Sequence, residues 1–139
     1  MSGLDSIIKT ELKTVYVSGG DVMHALKSTE SDFNGFGEAY FSTIEKGVFK
    51  GIKKHKKMIM NLIVPIGQVR FIFFSDDLTE RKEIVLGKCD YYRLTVPPNI
   101  WFGFYGIGEE NLVLNISNIL HDPLEVEKLD MINFNKLQL

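Results

Sequence analysis

The chain has 139 residues, 45% of them hydrophobic, so it is long enough to bury the core of one domain. Its formal net charge of −2 and its pI of about 5.9 argue against binding to nucleic acid or to anionic membranes. Its single cysteine, Cys89, excludes an internal disulfide and a cysteine-rich metal site.

The first residues and the apolar runs of the chain indicate its compartment. The N-terminal sequence MSGLDSIIKTEL lacks the basic region followed by an apolar stretch that marks a secretory signal. No apolar segment approaches the roughly 18 residues of a membrane-spanning helix. We therefore expect a single cytoplasmic domain over residues 1–139, with neither a membrane nor a nucleic acid as partner.

Short strands separated by turn residues are predicted along the whole chain. They are rich in aromatic and β-branched residues, and they cover residues 14–17, 38–44, 58–64, 68–74, 82–86, 92–96, 101–105 and 111–117. Asp21 is a candidate N-cap for a brief helix or turn at residues 22–27, and Asp122 for a short helix near the end. Regularly spaced short strands with so little helix predict an all-β sandwich or barrel.

Residues 48–74, VFKGIKKHKKMIMNLIVPIGQVRFIFF, are the stretch around which the rest is organised. Lysines and His55 crowd its first part, and two apolar runs follow, divided by a Pro/Gly turn. This pattern predicts a β-hairpin in the core. Asn61 and Arg70 interrupt otherwise apolar strands, so each needs a partner or a ligand. We expect any functional site to be lined from this stretch.

Four segments carry a resemblance to a known family: GD at residues 20–21, GVFKGI at 47–52, IGQV at 66–69 and VPPNIWFGF at 96–104. In this order they resemble segments of the sugar-modifying cupins of the dTDP-4-dehydrorhamnose 3,5-epimerase type. KGIKKH at 50–55 and VPPNIW at 96–101 also resemble the dTDP-sugar 3,4-ketoisomerases. The resemblance implies a jelly-roll β-barrel of the cupin (RmlC-like) type, a nucleotide sugar as the small-molecule partner and a homodimer.

Most residues that do the chemistry in the epimerases are replaced in this chain. Lys53 stands at the position of the base histidine, and Met60 at that of the lysine that stabilises the enolate. The acid tyrosine falls near Leu114, and the histidine before GF has become Phe102. Compared with the ketoisomerases, Lys53 again replaces the first histidine, whereas the second is kept as His55.

Standard 3,5-epimerisation is therefore not expected. The resemblance implies an epimerase or ketoisomerase relative that acts on a dTDP-4-keto-6-deoxy sugar. The alternative is a cupin that binds a sugar nucleotide without turnover.

His55 and Lys53 are the candidate catalytic residues. Removing a proton beside a ketone needs a base and a group that stabilises the enolate oxygen. His55 is the base that remains, and Lys53, two residues away, lies on the same face of an extended strand. Lys53 would stabilise the oxyanion, or act as a base if burial lowers its pKa.

An inward lysine requires a compensating anion, so we expect a carboxylate or a bound anion beside Lys53. Lys50, Lys53 and Lys56 together would attract the diphosphate of a nucleotide sugar. The competing interpretation is that the lysine-rich run is a solvated surface loop that includes His55.

Five further residues are candidates for substrate binding: Lys50, Asn61, Arg70, Tyr105 and His121. Arg70 is equally compatible with a buried structural pair to a carboxylate such as Glu38. Tyr105 belongs to an aromatic run that is more typical of a core or a dimer interface than of a stacking platform. His121 is a second acid/base candidate, although a structural histidine also fits.

The histidine spacing argues against a metal. Metal-binding cupins use two histidines one residue apart, a following glutamate and a third histidine on a later strand. Here Lys53 replaces one histidine, Phe102 stands near the third, and no glutamate occurs between His55 and Gly67. We expect no metal and no cofactor.

Overall fold

Nearly all regular structure in residues 3–139, which the computed structural model describes, is β-strand. The strands are β1 (Ile8–Glu11), β2 (Thr14–Val15), β3 (Val22–Met23), β4 (Glu38–Thr43), β5 (Phe49–His55), β6 (Met60–Ile66), β7 (Gln68–Phe74), β8 (Arg81–Gly87), β9 (Tyr92–Val96), β10 (Trp101–Gly106), β11 (Leu112–Ser117) and β12 (Val126–Lys128). Single turns of 3-10 helix occupy Gly3–Ser6 and Pro123–Glu125, and one α-helix, α1, spans Met131–Lys136. The predicted all-β class is confirmed.

Two five-stranded sheets hold most of these strands. The first sheet has the order β1-β9-β6-β11-β4, and the second has the order β12-β5-β10-β7-β8. Strands β2 and β3 form a separate small ribbon. Neighbouring strands of both sheets run antiparallel. From β4 onward the chain passes repeatedly from one sheet to the other, as a jelly roll does.

The predicted hairpin between the two apolar runs is wrong. Strand β6 belongs to the first sheet and β7 to the second, so the turn at Gly67 carries the chain between sheets. Gly67 has a φ of +85°, and a Cβ there would lie 2.0 Å from the carbonyl oxygen of Glu110. Only glycine fits such a turn. The turn signal was correct, but a strand that is apolar on both faces is compatible with more than one partner.

The main core lies between the two sheets. It is built from alternate residues of facing strands, among them Leu62, Val64, Phe71, Phe73 and Leu94. Because successive side chains of a strand point to opposite faces, the residues between these point outward. Which face of each strand meets this core therefore decides which side chains can reach the interior.

A second apolar cluster covers the outer face of the second sheet. Ile52, Ile72 and Trp101 pack there against Phe134 and Leu137 from the C-terminal helix. Helix α1 and strand β12 were not predicted from the sequence, and the helix considered for residues 22–27 is wrong because β3 occupies its start. None of the helices in residues 3–139 is long and apolar enough to cross a membrane.

The outer face of the first sheet is covered by the loop that precedes β4. Arg93 of β9 is completely buried there and donates to Glu30 at 2.7 Å, to Asp32 at 2.8 Å and to the carbonyl oxygen of Ala25 at 2.6 Å. Asp32 also accepts hydrogen bonds from neighbouring threonines. A buried charge needs such partners. This cluster attaches the loop to the sheet and is structural.

Candidate functional site

A cavity of about 510 Å³ opens between the two sheets. Its volume is typical of sites for small molecules. Its lining residues are Tyr40, Ser42, Lys50, Gly51, Ile52, Lys53, Met60, Leu62, Phe71, Phe102, Phe104, Val113, Asn115, Lys128 and Leu129. The floor is mostly apolar, whereas lysines from the second sheet and hydroxyl and amide groups from the first form its polar part.

Lys53 projects into this cavity from the middle of β5. The strand pairs Lys53 with Phe102 of β10 on one side and with Lys128 of β12 on the other. The Lys53 ammonium lies 5.8 Å from the centre of the Phe102 ring. Lys54, the next residue, points to the opposite face and pairs with Asp76 at 2.5 Å and Glu127 at 3.2 Å. Most of the lysine-rich run therefore forms a strand with two different faces. The interpretation of this run as a solvated surface loop does not describe such a strand.

The half-buried Lys53 ammonium has no carboxylate partner within residues 3–139. No carboxylate is among the described residues that line the cavity, so the acidic partner expected beside Lys53 is not found. Burial lowers the pKa of Lys53, and the charges of Lys128 and Lys50 lower it further. Lys50 donates to the carbonyl oxygen of Thr43 at 2.8 Å and so connects β5 to β4. The cavity therefore offers an anion or a carbonyl group a positively charged wall.

His55, also on β5, forms a buried pair with Glu125. Only 4% of His55 and 3% of Glu125 is exposed, and Nδ1 of the imidazole lies 2.5 Å from Oε1 of the carboxylate. Because an ionised carboxylate can only accept, Nδ1 carries the proton and Nε2 keeps its lone pair. Nε2 is buried and has no hydrogen-bond partner in the described part of the chain. The basic nitrogen of the imidazole is thus left without a partner among the described residues.

Backbone groups hold the Glu125 carboxylate in place. Its Oε2 accepts from the N–H groups of Lys56 at 3.0 Å, Lys57 at 3.0 Å and Met58 at 3.3 Å. Burial raises the pKa of Glu125, but these hydrogen bonds and the contact with His55 outweigh it, so the pKa lies below its ordinary value. The carboxylate therefore stays ionised and fixes the orientation of the imidazole.

His55 lies beside the cavity rather than on its wall. Its ring stacks against Phe102, with the ring centres 5.8 Å apart and the planes inclined by 19°. Phe102 itself lines the cavity, as does Lys53. Both candidate catalytic residues therefore meet at the Phe102 side chain. His121, the second acid/base candidate, is exposed and donates its backbone N–H to Glu38 at 2.7 Å.

Three of the predicted binding residues lie outside this cavity. Asn61 points to the outer face of the first sheet, where its side-chain oxygen accepts a hydrogen bond from Thr95 at 2.7 Å. Arg70 and Tyr105 lie on the outer face of the second sheet, with the guanidinium 5.8 Å from the tyrosine ring. They line another cavity, next to helix α1. Arg70 is exposed and does not pair with Glu38, so that predicted pair is wrong.

Several polar residues of the cavity were missed from the sequence. Asn115 of β11 is buried and donates to the hydroxyl of Tyr40 on β4 at 3.0 Å. Ser42 lies two residues from Tyr40 and lines the same cavity. The alternation of polar and apolar residues in EAYFST was a signal, because it places Tyr40 and Ser42 on one face. It does not say which face is inside.

Metal-ligating side chains are dispersed in this structure. Within residues 3–139, His, Cys, Asp and Glu do not come together in a group of three or more that could hold a metal ion. The expectation that the protein needs no metal or cofactor stays a prediction.

The buried imidazole predicts acid sensitivity. Burial lowers the pKa of His55 below 6.5 and outweighs the opposing effect of the Glu125 carboxylate. Below about pH 6.5 the unfolded chain binds a proton at His55 that the folded chain does not, so stability falls on acidification. We expect the free energy of unfolding in urea to decrease from pH 7 to pH 5, and to decrease less in His55→Asn. Equal slopes in the two proteins would contradict this.

Comparisons with known proteins were made for both sequence and structure. No protein-family profile matches the chain. No curated protein matches it significantly either. Solved structures do match. A dTDP sugar isomerase from Desulfovibrio desulfuricans G20 is 28% identical, with a TM-score of 0.86 over 94% of this chain and 87% of that chain.

Two more distant structures have the same fold. QdtA, a sugar 3,4-ketoisomerase from Thermoanaerobacterium thermosaccharolyticum, is 18% identical, with a TM-score of 0.77 over 95% of this chain and 94% of that chain. The RmlC epimerase from Legionella pneumophila is 15% identical, with a TM-score of 0.82 over 97% of this chain and 78% of that chain. The two antiparallel sheets and these likenesses agree with the jelly roll predicted from the sequence. The chain has the RmlC-like cupin fold.

Proposed function

We propose that this protein is an enzyme that modifies a nucleotide sugar, an epimerase or ketoisomerase relative acting on a dTDP-4-keto-6-deoxy sugar. The observation that carries the proposal is the meeting of Lys53 and His55 at Phe102, beside a cavity of the size of a small ligand. The similar structures support the substrate class. One QdtA structure is a complex with TDP, and the RmlC structure is a complex with dTDP-4-keto-L-rhamnose.

The two residues have complementary roles in this proposal. His55 accepts, at Nε2, a proton from the carbon next to the ketone, while Glu125 holds the opposite nitrogen. Lys53 neutralises the charge that develops on the ketone oxygen. Lys50 and Lys128 add positive charge for the diphosphate. The sugar must lie against Phe102, because that is where the two groups meet.

The alternative function is that of a cupin that binds a sugar nucleotide without turnover. It is favoured by the position of His55 beside the cavity wall and by the apolar Met60 on that wall. Exchange of solvent deuterium into dTDP-4-keto-6-deoxyglucose, followed by NMR, separates the two functions. Exchange at C3 or C5 supports the enzyme, whereas saturable binding without exchange supports the binding protein.

We also propose that the protein is a homodimer in the cytoplasm. The support for the dimer is two exposed aromatic side chains. Phe41, on the edge strand β4, is 64% exposed, and Phe36 in the preceding loop is 65% exposed. Exposed aromatic side chains at a sheet edge are a typical place for contact between protein chains.

Replacing Lys53 with methionine should weaken the binding of TDP. A hydrogen bond or ion pair with a charged group is worth about 1.5–3 kcal/mol, so we expect Kd to rise roughly 10-fold to 100-fold in isothermal titration calorimetry. The fold should tolerate the change, because an apolar chain of similar length suits a half-buried position. Lys54→Met is the matched control, since Lys54 points to the opposite face. Equal affinities in the two variants would contradict the role of Lys53.

A further inference from the structure

Lys53 occupies a rigid and unusual position for a lysine. Its strand is paired on both sides, so the backbone cannot withdraw the side chain from the cavity. Its nitrogen lies 5.8 Å from the centre of the Phe102 ring and lacks a carboxylate partner among the described residues. Most half-buried lysines pair with an acid, as Lys54 does here with Asp76 and Glu127. A structural role for the Lys53 amine is thus not evident.

The groups that face Lys53 include two other cations and, within residues 3–139, no carboxylate. They are Lys50 and His55 on the same strand, Lys128 on β12, Phe102 on β10 and, across the cavity, Tyr40 on β4. Burial lowers the pKa of Lys53, and the neighbouring lysines add to the effect. A desolvated amine next to other cations is the setting in which lysine acts as a nucleophile towards carbonyl carbon.

We propose that Lys53 is a nucleophilic amine that condenses with the carbonyl carbon of a phosphorylated ketone or aldehyde to form an imine. The nitrogen lone pair attacks the carbonyl carbon and a C–N bond forms. The C–O bond then breaks, and the oxygen leaves as water with the two hydrogens of the amine. Attack by water on the imine reverses these steps and restores the lysine, so neither an oxidant nor a reductant is needed.

An imine at this place would complement the His55–Glu125 pair. A protonated imine withdraws electrons from the neighbouring C–H bond more strongly than a ketone does, so a nearby base removes that proton more easily. The basic Nε2 of His55 is the nearby base in the proposed function. Two parts of this inference rest on the proposed function: the proton transfer to His55 and the sugar as substrate. The reactivity of Lys53 rests on the cavity itself.

The lysines around the cavity also indicate which compound is a suitable probe for the reactivity of Lys53. Lys50 and Lys128 add positive charge to its wall, so a carbonyl compound that carries a phosphate should be favoured. Pyridoxal 5′-phosphate combines an aldehyde with a phosphate. Reduction with borohydride makes its adduct permanent, and peptide mass spectrometry locates the modified lysine.

The test compares Lys53 with its neighbour in the sequence. With an equimolar amount of pyridoxal phosphate at pH 7, we expect Lys53 to be modified several-fold more than Lys54, because burial lowers the pKa of Lys53, whereas Asp76 and Glu127 outweigh burial at Lys54 and raise its pKa. Lys53→Arg keeps the positive charge but cannot form an imine, so its labelling should fall to that of the surface lysines. Lys54→Arg should leave the labelling of Lys53 unchanged. If the labelling of each lysine simply followed its exposure, the proposal would be overturned. The same holds if Lys53→Arg were labelled as much as the wild type.

The same trapping with dTDP-4-keto-6-deoxyglucose separates this proposal from the proposed function. Cyanoborohydride should add the mass of the reduced sugar-nucleotide adduct to wild type and not to Lys53→Arg. Deuterium exchange without any trapped adduct, of either probe, would overturn the imine and leave the enzyme function in place. A pyridoxal adduct at Lys53 without deuterium exchange would support the reactive lysine and refute the epimerase or ketoisomerase.

Discussion

Replacing His55 with asparagine should slow solvent-hydrogen exchange into the nucleotide sugar by roughly 100-fold to 10,000-fold, the usual contribution of a positioned general base. Asparagine is similar in size and keeps a hydrogen-bonding side chain next to Glu125, but it cannot accept a proton at neutral pH. NMR of dTDP-4-keto-6-deoxyglucose in deuterated buffer measures the rate. The affinity for TDP, measured separately by calorimetry, should change little.

The matched control for this substitution is His24→Asn. His24 follows β3 and does not line the cavity, so exchange should continue at the wild-type rate. If His55→Asn retained exchange within about threefold of wild type, another group would carry the proton. Lys53 would then be the remaining candidate, because its nitrogen faces the cavity.

The strands of this chain could be predicted locally, but their pairing could not. Residues 92–96 form β9 as predicted from their alternation. The turn at Gly67 was also recognised, yet β6 and β7 lie in different sheets. The alternation of polar and apolar residues and the positions of turn residues indicate the local structure of each segment. Pairing depends on contacts with strands far along the chain, and a strand that is buried on both faces carries no sign of its partner.

The candidate site shows the same limit. Residues 53 and 55 are two positions apart in the sequence, and this spacing correctly places Lys53 and His55 on one face of β5. Arg70 was misplaced because helix α1 covers the outer face of β7, so both faces of this strand carry apolar residues. Glu125 was missed as the partner of His55 because 70 residues separate them in the sequence. No local pattern indicates that contact.

Replacing Glu125 with alanine should destabilise the fold by at least about 1–3 kcal/mol, the usual cost of leaving buried hydrogen-bond donors without an acceptor. Three backbone N–H groups, those of Lys56, Lys57 and Met58, would lose their acceptor, and His55 would lose its partner. Unfolding in urea measures the change. Glu127→Ala is the control, because Glu127 pairs with lysines at the surface and its removal should change the free energy of unfolding little.

Glu125→Gln separates the effect on stability from the effect on the base. The amide oxygen should take the place of Oε2 and accept the backbone N–H groups, which leaves the NH₂ group facing Nδ1 of His55. Nδ1 must then accept, so the imidazole proton moves to Nε2 and the basic nitrogen is lost. We expect the variant to remain folded, to lose less stability than Glu125→Ala and to exchange sugar hydrogen as slowly as His55→Asn. Wild-type exchange in a folded Glu125→Gln protein would show that the carboxylate does not orient the base.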